Sequence, residues 1–349
     1  MKATMSGFDL RAVARELNEF SGAYVKKAYM PHYEQIVLRI NPKDLDQFDL
    51  VLVRGARVYT SNRDRPMPMT PPPFAMVLRK HLKNARMTGV RQLGFDRVLC
   101  FDFDTKFGQY HLYVEVFRDG NIILTDEEDT IIQPLTHASY AGRTLKKGVT
   151  YQPPPPAMDP HEMELEDLSK MFETSDRDLV STLGGKVNLG GTHANAVCAL
   201  AGMEANIDTQ NADAGKIHDA LQSLLSDLAQ TNEGFLLLKP DKETSKEDLE
   251  QQSATHEPNG KRDRFFEQFA CEATPTLLPS HGELIQVQFP TLCQAVDAWK
   301  GAHDAMALAR REAEKLDIAA PGRGHSTDVE RLELSLIHIS EPTRPLTIS

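Results

Sequence analysis

Four consecutive prolines, Pro153 to Pro156, divide this 349-residue chain. Proline fixes φ and has no backbone N–H, so such a run can neither join a strand ladder nor continue a helix, and it forms a stiff spacer. The chain must therefore fold as more than one unit, and its length agrees with two or three domains. The two sides differ in charge. Through Tyr151 there are 22 Lys and Arg against 17 Asp and Glu, a net of +5, whereas the remainder carries 17 against 33, a net of −16. The total of −11 argues against a polyanionic partner, but the asymmetry does not. The first segment can face a polyanion while the second keeps the protein soluble.

The first segment, residues 1–151, reads as mostly sheet. Leu10, Val13, Leu17 and Phe20 fall at helical spacing behind Asp9, which stands where an N-cap belongs, so a short helix opens the fold. Strand-like runs follow at Tyr33–Ile40, Phe48–Val53, Val58–Thr60, Val98–Phe103, Tyr110–Phe117 and Asn121–Leu124, rich in β-branched and aromatic residues, with Asp119-Gly120 as a tight turn. Among them lies an extended stretch, Pro66–Pro73, and then Phe74–Met87, whose Phe74, Val77, Leu78, Leu82 and Ala85 make one helical stripe. The other side of that helix would carry Arg79, Lys80, Lys83 and Arg86, with Arg91 nearby. No acidic residue occurs between 74 and 95, which favours RNA-backbone contact over an ordinary solvated face.

Beyond the prolines, residues 152–289 read as a helical unit with a small β annex. Gly184-Gly185 and Gly190-Gly191 bracket a short loop ahead of Ala194, Val197, Cys198 and Ala201, the pattern of a helical hairpin. Ile217, Leu221, Leu224, Leu225 and Leu228 make a further amphipathic helix, and Phe235–Leu238 with Leu284–Phe289 a strand pair around a charged, flexible insert at Asp241–Lys261. Residues 290–318 look like the opening of a coiled coil, and 319–349 like disorder. Residues 335–349 neither continue the helical period nor form a cap; they resemble a translated sequencing adapter, which suggests that a natural continuation is missing.

Several function classes find no support. Cys100, Cys198, Cys271 and Cys293 lack the spacing of a zinc knuckle or disulfide scaffold. The histidines fall in no metal-ligand spacing, no nucleophile elbow occurs, and the 184–191 glycines lack the order of a phosphate-binding loop. No apolar run reaches membrane-spanning length and no secretory h-region is present. The chain is expected in the cytoplasm, with no catalytic residue, metal, cofactor, membrane or small-molecule substrate.

Four blocks carry a family resemblance: Gly7-Phe8-Asp9-Leu10-Arg11, then Phe74 to Lys83 (FAMVLRKHLK), then Gln92 to Val98 (QLGFDRV), then Tyr110 to Glu115 (YHLYVE) with Gly120 to Asp126 (GNIILTD). In this order they resemble the NFACT family of ribosome-quality-control factors, the RqcH/NEMF group also labelled fibronectin-binding protein A-like. Agreement continues more weakly to Trp299. The resemblance implies an α+β fold: a β-rich NFACT-N domain similar to Fpg/MutM-type DNA glycosylases, then a helical-hairpin domain and the start of a coiled coil. It also implies a non-enzymatic factor that binds a stalled large ribosomal subunit with peptidyl-tRNA. That factor would recruit charged tRNA, alanyl-tRNA being the family's common choice, for template-free tailing.

By that resemblance Asp96, Arg97 and Asp9 contact tRNA. Arg97 offers a rigid fork of donors to phosphate or a base edge, and Asp96 accepts from a base amino group or a ribose hydroxyl. Without it the pair is an exposed turn before a strand, and Asp9 a helix cap. Two other functions stay open. One is a nucleic-acid-binding protein of DNA glycosylase-like fold without a ribosomal role; glycosylase activity itself would need a nucleophile and an acid that Met1-Lys2 does not supply. A surface adhesin would need a signal or anchor.

Overall fold

The computed structural model describes residues 4–140, 142–241, 243–255 and 260–311. Helix α1 (Gly7–Asn18) begins one turn earlier than its apolar stripe suggests. Ser6, not Asp9, is its N-cap. The Ser6 hydroxyl accepts from the Asp9 amide at 3.2 Å while the Asp9 carboxylate accepts from the Ser6 amide at 2.7 Å. This reciprocal capping box satisfies two amides that a helix start leaves open.

The chain then makes an antiparallel meander of β1 (Tyr24–His32), β2 (Gln35–Asn41), β3 (Phe48–Val53) and β4 (Arg57–Ser61). After helix α2 (Pro73–Leu82) it makes a second, of β5 (Arg86–Gln92), β6 (Val98–Thr105), β7 (Gly108–Glu115), β8 (Ile122–Asp126) and β9 (Ile131–Pro134). The two join where Tyr24 lies opposite Arg86, giving one nine-stranded sheet in the order β4-β3-β2-β1-β5-β6-β7-β8-β9. Helix α2 ends before Met87, contrary to its sequence pattern. Lys83 is already extended and Asn84 takes a φ of 60°, a left-handed conformation Asn tolerates. The chain thereby turns so that the amides of Asn84 and Met87 reach the carbonyls of Val25 and Ala23 on and beside β1. Tertiary pairing wins over a helical period here. A hairpin of β10 (Ala138–Tyr140) and β11 (Arg143–Leu145) leads to the prolines.

Past the prolines come α3 (Leu165–Thr174), the hairpin α4 (Leu179–Gly185) and α5 (Gly190–Leu200), and α6 (Ala214–Gln230). Then β12 (Gly234–Leu238), α7 (Lys246–Thr255), α8 (Gly260–Phe269), β13 (Ala270–Thr274) and β14 (Ile285–Phe289) follow, with β12 central in a three-stranded sheet. The charged insert expected to be flexible carries helix at Lys246–Thr255 and again from Gly260, anchored by buried Leu249 of α7 and by Phe265, Phe266 and Phe269 of α8. The chain continues through α9 (Leu292–Val296), a π-helical turn at Asp297–Gly301, and α10 (Ala302–Ala305).

Two main cores result. One unites Leu10, Leu38, Leu50, Phe101 and Val114 with Leu236, Phe266, Phe289, Leu292 and Trp299, so the β annex packs with the large sheet. The other is helical, built on Leu168, Phe172, Leu183, Val197, Leu221 and Leu224, and it also takes in Phe8 and Phe95. Residues 292–305, the first part of the expected coiled coil, are not a free arm: Asp304 accepts from Arg57 Nε and the Tyr59 hydroxyl, each at 2.8 Å. Residues 312–318 of that expectation and the 335–349 tail lie outside the described residues. No described helix is long and apolar enough to cross a membrane.

Candidate nucleic-acid interface

The Asp96-Arg97 pair sits on the turn between β5 and β6, and three residues outside the pair hold that turn. Gln92, at the end of β5, donates from one amide nitrogen to the carbonyls of Gly7 and Asp96, both at 2.9 Å. Arg11, one turn into α1, donates to Gln92 Oε1 at 2.8 Å, to the Gly94 carbonyl at 2.7 Å and to Asp159 at 3.2 Å, with its guanidinium 5.2 Å from the Phe95 ring centre. Phe95 is buried edge-on against Phe8 with centroids 4.6 Å apart, and Phe8 lies on His193 of α5 at 4.2 Å. Gly94 takes a φ of 56°, which lets the turn close.

These contacts show why the first and third sequence blocks go together. A Cβ on Gly7 would come within 2.9 Å of the Phe95 ring, so glycine permits the approach. Phe8 and Phe95 enter the helical core, Asp9 completes the capping box of Ser6, Leu10 fills the sheet core, and Arg11 pins the turn. Neither Arg11 nor Gln92 was singled out from sequence as part of the site. Their place in the blocks is the available signal, but the partners of Arg11 are 81 to 150 positions away.

The turn opens onto a cleft of ≈ 550 Å³ between the β-rich and helical parts. Ser6, Gly7 and the Phe95–Arg97 turn form one wall, Pro154 of the spacer another, and Gly184 with Asn188–Gly190 of the α4–α5 hairpin the facing one. The size suits an organic ligand or a splayed nucleotide. Arg97 is exposed, and its side chain makes no hydrogen bond or ion pair among the described residues. Asp96 is half-buried, and Ala157 beside the spacer donates to it at 3.4 Å. Burial pushes the Asp96 carboxyl above its ordinary value, against the pull of the Ala157 amide and of Arg97. The cleft thus presents a cation, a carboxylate, an amide side chain and the N-terminal turns of α1 and α5. These are the groups that recognise phosphates and base edges.

Asp9 is buried and its carboxylate serves the capping box; it meets the cleft only through Ser6 and Gly7. The five basic residues also separate. Arg79 and Lys80 are on α2, and Lys83 is its C-cap. Arg86 and Arg91 lie on β5 rather than on the helix, where they pair with Asp104 at 3.3 Å and Asp102 at 3.1 Å. Arg79 donates to the Ala28 carbonyl at 2.7 Å and lies over the Tyr29 ring, a packing role. Lys80 and Lys83 are exposed and make no ion pair among the described residues.

Cys100, Asp102 and His111 place ligand-type atoms within 4.8 Å of one another, a grouping absent from the sequence reading. The Arg91 guanidinium already bonds both Cys100 Sγ and Asp102, and the Asp102 carboxylate accepts from His111 Nδ1 at 2.6 Å. Burial pushes the Cys100 thiol well up. The Arg91 cation and the hydrogen bonds of Cys100 and His111 to Asp102 hold the three side chains together.

An archaeal Rqc2 homolog from Methanocaldococcus jannaschii is 30% identical over 251 residues, which is 68% of this chain and 37% of that protein. The human ribosome quality control complex subunit NEMF is 39% identical over 136 residues, covering 39% of this chain and 12% of that protein. The chain therefore spans little more than a third of the archaeal relative. The crystal structure of the fibrinogen binding protein from Staphylococcus aureus shares the fold, with a TM-score of 0.63 at 17% identity over 84% of this chain and 97% of that one. Residues 6–272 match the model of the NFACT N-terminal and middle domains, and the chain belongs to the NFACT family.

Proposed function

We propose that this chain is the tRNA-reading part of a ribosome-quality-control factor, acting by binding rather than by catalysis. The observation that carries the reading is that the Asp96-Arg97 turn and the glycine-rich α4–α5 hairpin, 87 or more positions apart, face each other across one cleft. Arg97 contacts a phosphate or base edge, Asp96 accepts from a base amino group or ribose hydroxyl, and the amides at the starts of α1 and α5 face the backbone. Asp9 contributes by fixing the α1 start. Lys80 and Lys83, with Arg79, Arg86 and Arg91 as partly paired neighbours, add sequence-independent attraction for phosphates. The partners in this reading are the large ribosomal subunit and charged tRNA, alanyl-tRNA among the candidates, in the cytoplasm. The outcome is template-free extension of a stalled chain, with peptide-bond formation left to the ribosome. The named function of the archaeal and human relatives supports it.

The test is recovery and sequencing of tRNA from large subunits co-sedimented with the chain, comparing the parent with Asp96→Ala plus Arg97→Ala. Loss of tRNA with unchanged subunit binding supports the cleft. Equal tRNA recovery from both refutes it.

A further inference from the structure

The register of the large sheet gathers four side chains that are scattered in the sequence. Cys100 and Asp102 are alternate residues of β6 and project from one face, and His111 of β7 lies directly opposite Asp102. From the other side of β6, Arg91 of β5 lies opposite Cys100. The Cys100 sulfur is 3.3 Å from Asp102 Oδ1, and that oxygen is 2.6 Å from His111 Nδ1. Around a tetrahedral Zn²⁺ with bonds of about 2.0–2.3 Å, neighbouring ligand atoms are about 3.3–3.6 Å apart. The sulfur–oxygen pair already has that separation, and the oxygen–nitrogen pair needs to open by roughly 0.7 Å. Both strands are central in the nine-stranded sheet, with a neighbour on each side, so the three side chains stand on a rigid base.

The cluster already draws in a positive charge. Arg91 donates to the Cys100 sulfur at 3.2 Å and to Asp102 Oδ2 at 3.1 Å. Its side chain is 48% exposed, against 25% for Asp102 and 16% for His111, so it is the outermost member and has solvent to turn into.

We propose that Cys100, Asp102 and His111 are ligands for a divalent transition-metal ion of the Zn²⁺ type, and that Arg91 holds the place of the ion until the ion displaces it. The ligand atoms select that class. Sulfur and imidazole nitrogen suit Zn²⁺, whereas Mg²⁺ and Ca²⁺ take six or more oxygen ligands. Three protein ligands leave the fourth position to water. On binding, the Cys100 thiol releases its proton to solvent and the thiolate sulfur bonds the metal. His111 carries its single proton on Nε2 and binds through the Nδ1 lone pair, while Asp102 binds through Oδ1 in place of the hydrogen bonds that oxygen accepts. No electron is transferred. Burial holds the thiol proton on, so affinity should fall short of a structural zinc centre built from several thiolates. The inference does not depend on the cleft.

Titration of the full chain with Co²⁺, a spectroscopic stand-in for Zn²⁺, tests it. The parent should develop a sulfur-to-cobalt charge-transfer band and the visible bands of tetrahedral Co²⁺, saturating at a single ion per chain and erased by added Zn²⁺. Cys100→Ser should remove the sulfur band, and His111→Gln, at a partly exposed position, should weaken binding by more than about tenfold. Melting of the metal-free variants shows that each is folded; if Cys100→Ser is not, His111→Gln carries the test. Arg91→Ala should bind the ion severalfold more tightly because the competing cation is gone, a gain that a guanidinium serving only as a brace would not give. Zn²⁺ should raise the Tm of the parent and leave that of His111→Gln unchanged. Asp96→Ala plus Arg97→Ala should keep the bands, which separates this site from the cleft. A parent without the sulfur band, bands that survive in His111→Gln at parental affinity, or an Arg91→Ala no tighter than the parent overturns the proposal.

Discussion

Arg11 donates to the carbonyl oxygen of Gly94 at 2.7 Å, and that bond joins the first helix to the turn that presents Asp96 and Arg97. The same guanidinium reaches Gln92 and Asp159, so the first helix, the turn and the segment after the prolines share one fastener. Arg11→Ala should cost about 1–2 kcal/mol of stability, as for charge-assisted bonds with partial exposure. Its larger effect should be on tRNA retention, because the turn is released. Lysine keeps the charge but not the planar fork, so Arg11→Lys should retain tRNA little better than alanine. Tm by calorimetry and bound tRNA by sequencing separate the two effects.

Gly7→Ala places a methyl group 2.9 Å from the Phe95 ring and 3.0 Å from the Phe95 carbonyl oxygen. Phe95 is wedged between Phe8 and Arg11 and has no room to retreat. Such overpacking costs about 1–3 kcal/mol, and a urea melt should show it as a lower midpoint with an unchanged slope.

Lys80 and Lys83 are free to meet phosphates, whereas Arg79 is engaged with Ala28 and Tyr29. The double variant Lys80→Ala, Lys83→Ala should reduce the salt slope of tRNA binding by about two at unchanged Tm. Arg79→Ala should do the reverse, lowering Tm and leaving the slope nearly as it was. A salt titration of affinity for all three proteins checks this division.

Asp304 is buried against Arg57 and Tyr59. Burial alone would raise its carboxyl, but the bonds from His303, Arg57 and Tyr59 outweigh that and hold it well below the usual carboxylate range. A carboxylate depressed in the folded state contributes stability that is full above its unfolded value of about 4 and is lost as pH falls through the lower folded value. Acid unfolding below pH about 4 should therefore weaken the attachment of residues 302–305. Asp304→Asn leaves Arg57 buried without its counter-charge and should cost about 3–5 kcal/mol at neutral pH. Its stability should depend less on pH in the acid range, as denaturant melts from pH 3 to 7 would show.

Glu16 caps α9 from α1, accepting from the Leu292 and Cys293 amides at 2.7 and 3.0 Å. Burial raises its carboxyl despite those bonds. A carboxyl raised in the folded state contributes stability that is full below its unfolded value and is lost as pH rises through the higher folded value, so its contribution grows as pH falls from neutrality. Glu16→Ala should cost about 1–2 kcal/mol as a lost cap. Leu292 and Cys293 donate to different oxygens of Glu16, so Glu16→Gln keeps one acceptor but sets its NH2 against the other amide and should cost about as much as alanine, which equilibrium unfolding at pH 7 would check.

Local pattern was sufficient for much of this molecule. The β-branched runs that became β2, β3, β4, β6, β7 and β8, the glycine-bracketed hairpin of α4 and α5, and the apolar stripe of α6 are encoded by neighbours a few positions apart. The four blocks in order carried the family. What the period could not show was where a helix must stop because another strand needs its backbone: Asn84 turns the chain so that Met87 pairs beside β1, and Arg86 and Arg91 become strand residues. Nor could it show that Asp9 serves Ser6. A capping box requires knowing the first helical residue, which the apolar stripe placed a turn late.

The residue types of the site were legible and its assembly was not. Asp96 and Arg97 stand in the chain as a turn pair, and 184–191 as a glycine-rich loop. Only the tertiary structure sets them across one cleft, because their meeting depends on Phe8 and Phe95 crossing into the helical core and on Arg11 and Gln92 bonding across long separations. Helical and strand periods arise from bonds between near neighbours, so sequence reports them directly. A cleft arises from the relative placement of two cores, which follows from how their surfaces pack.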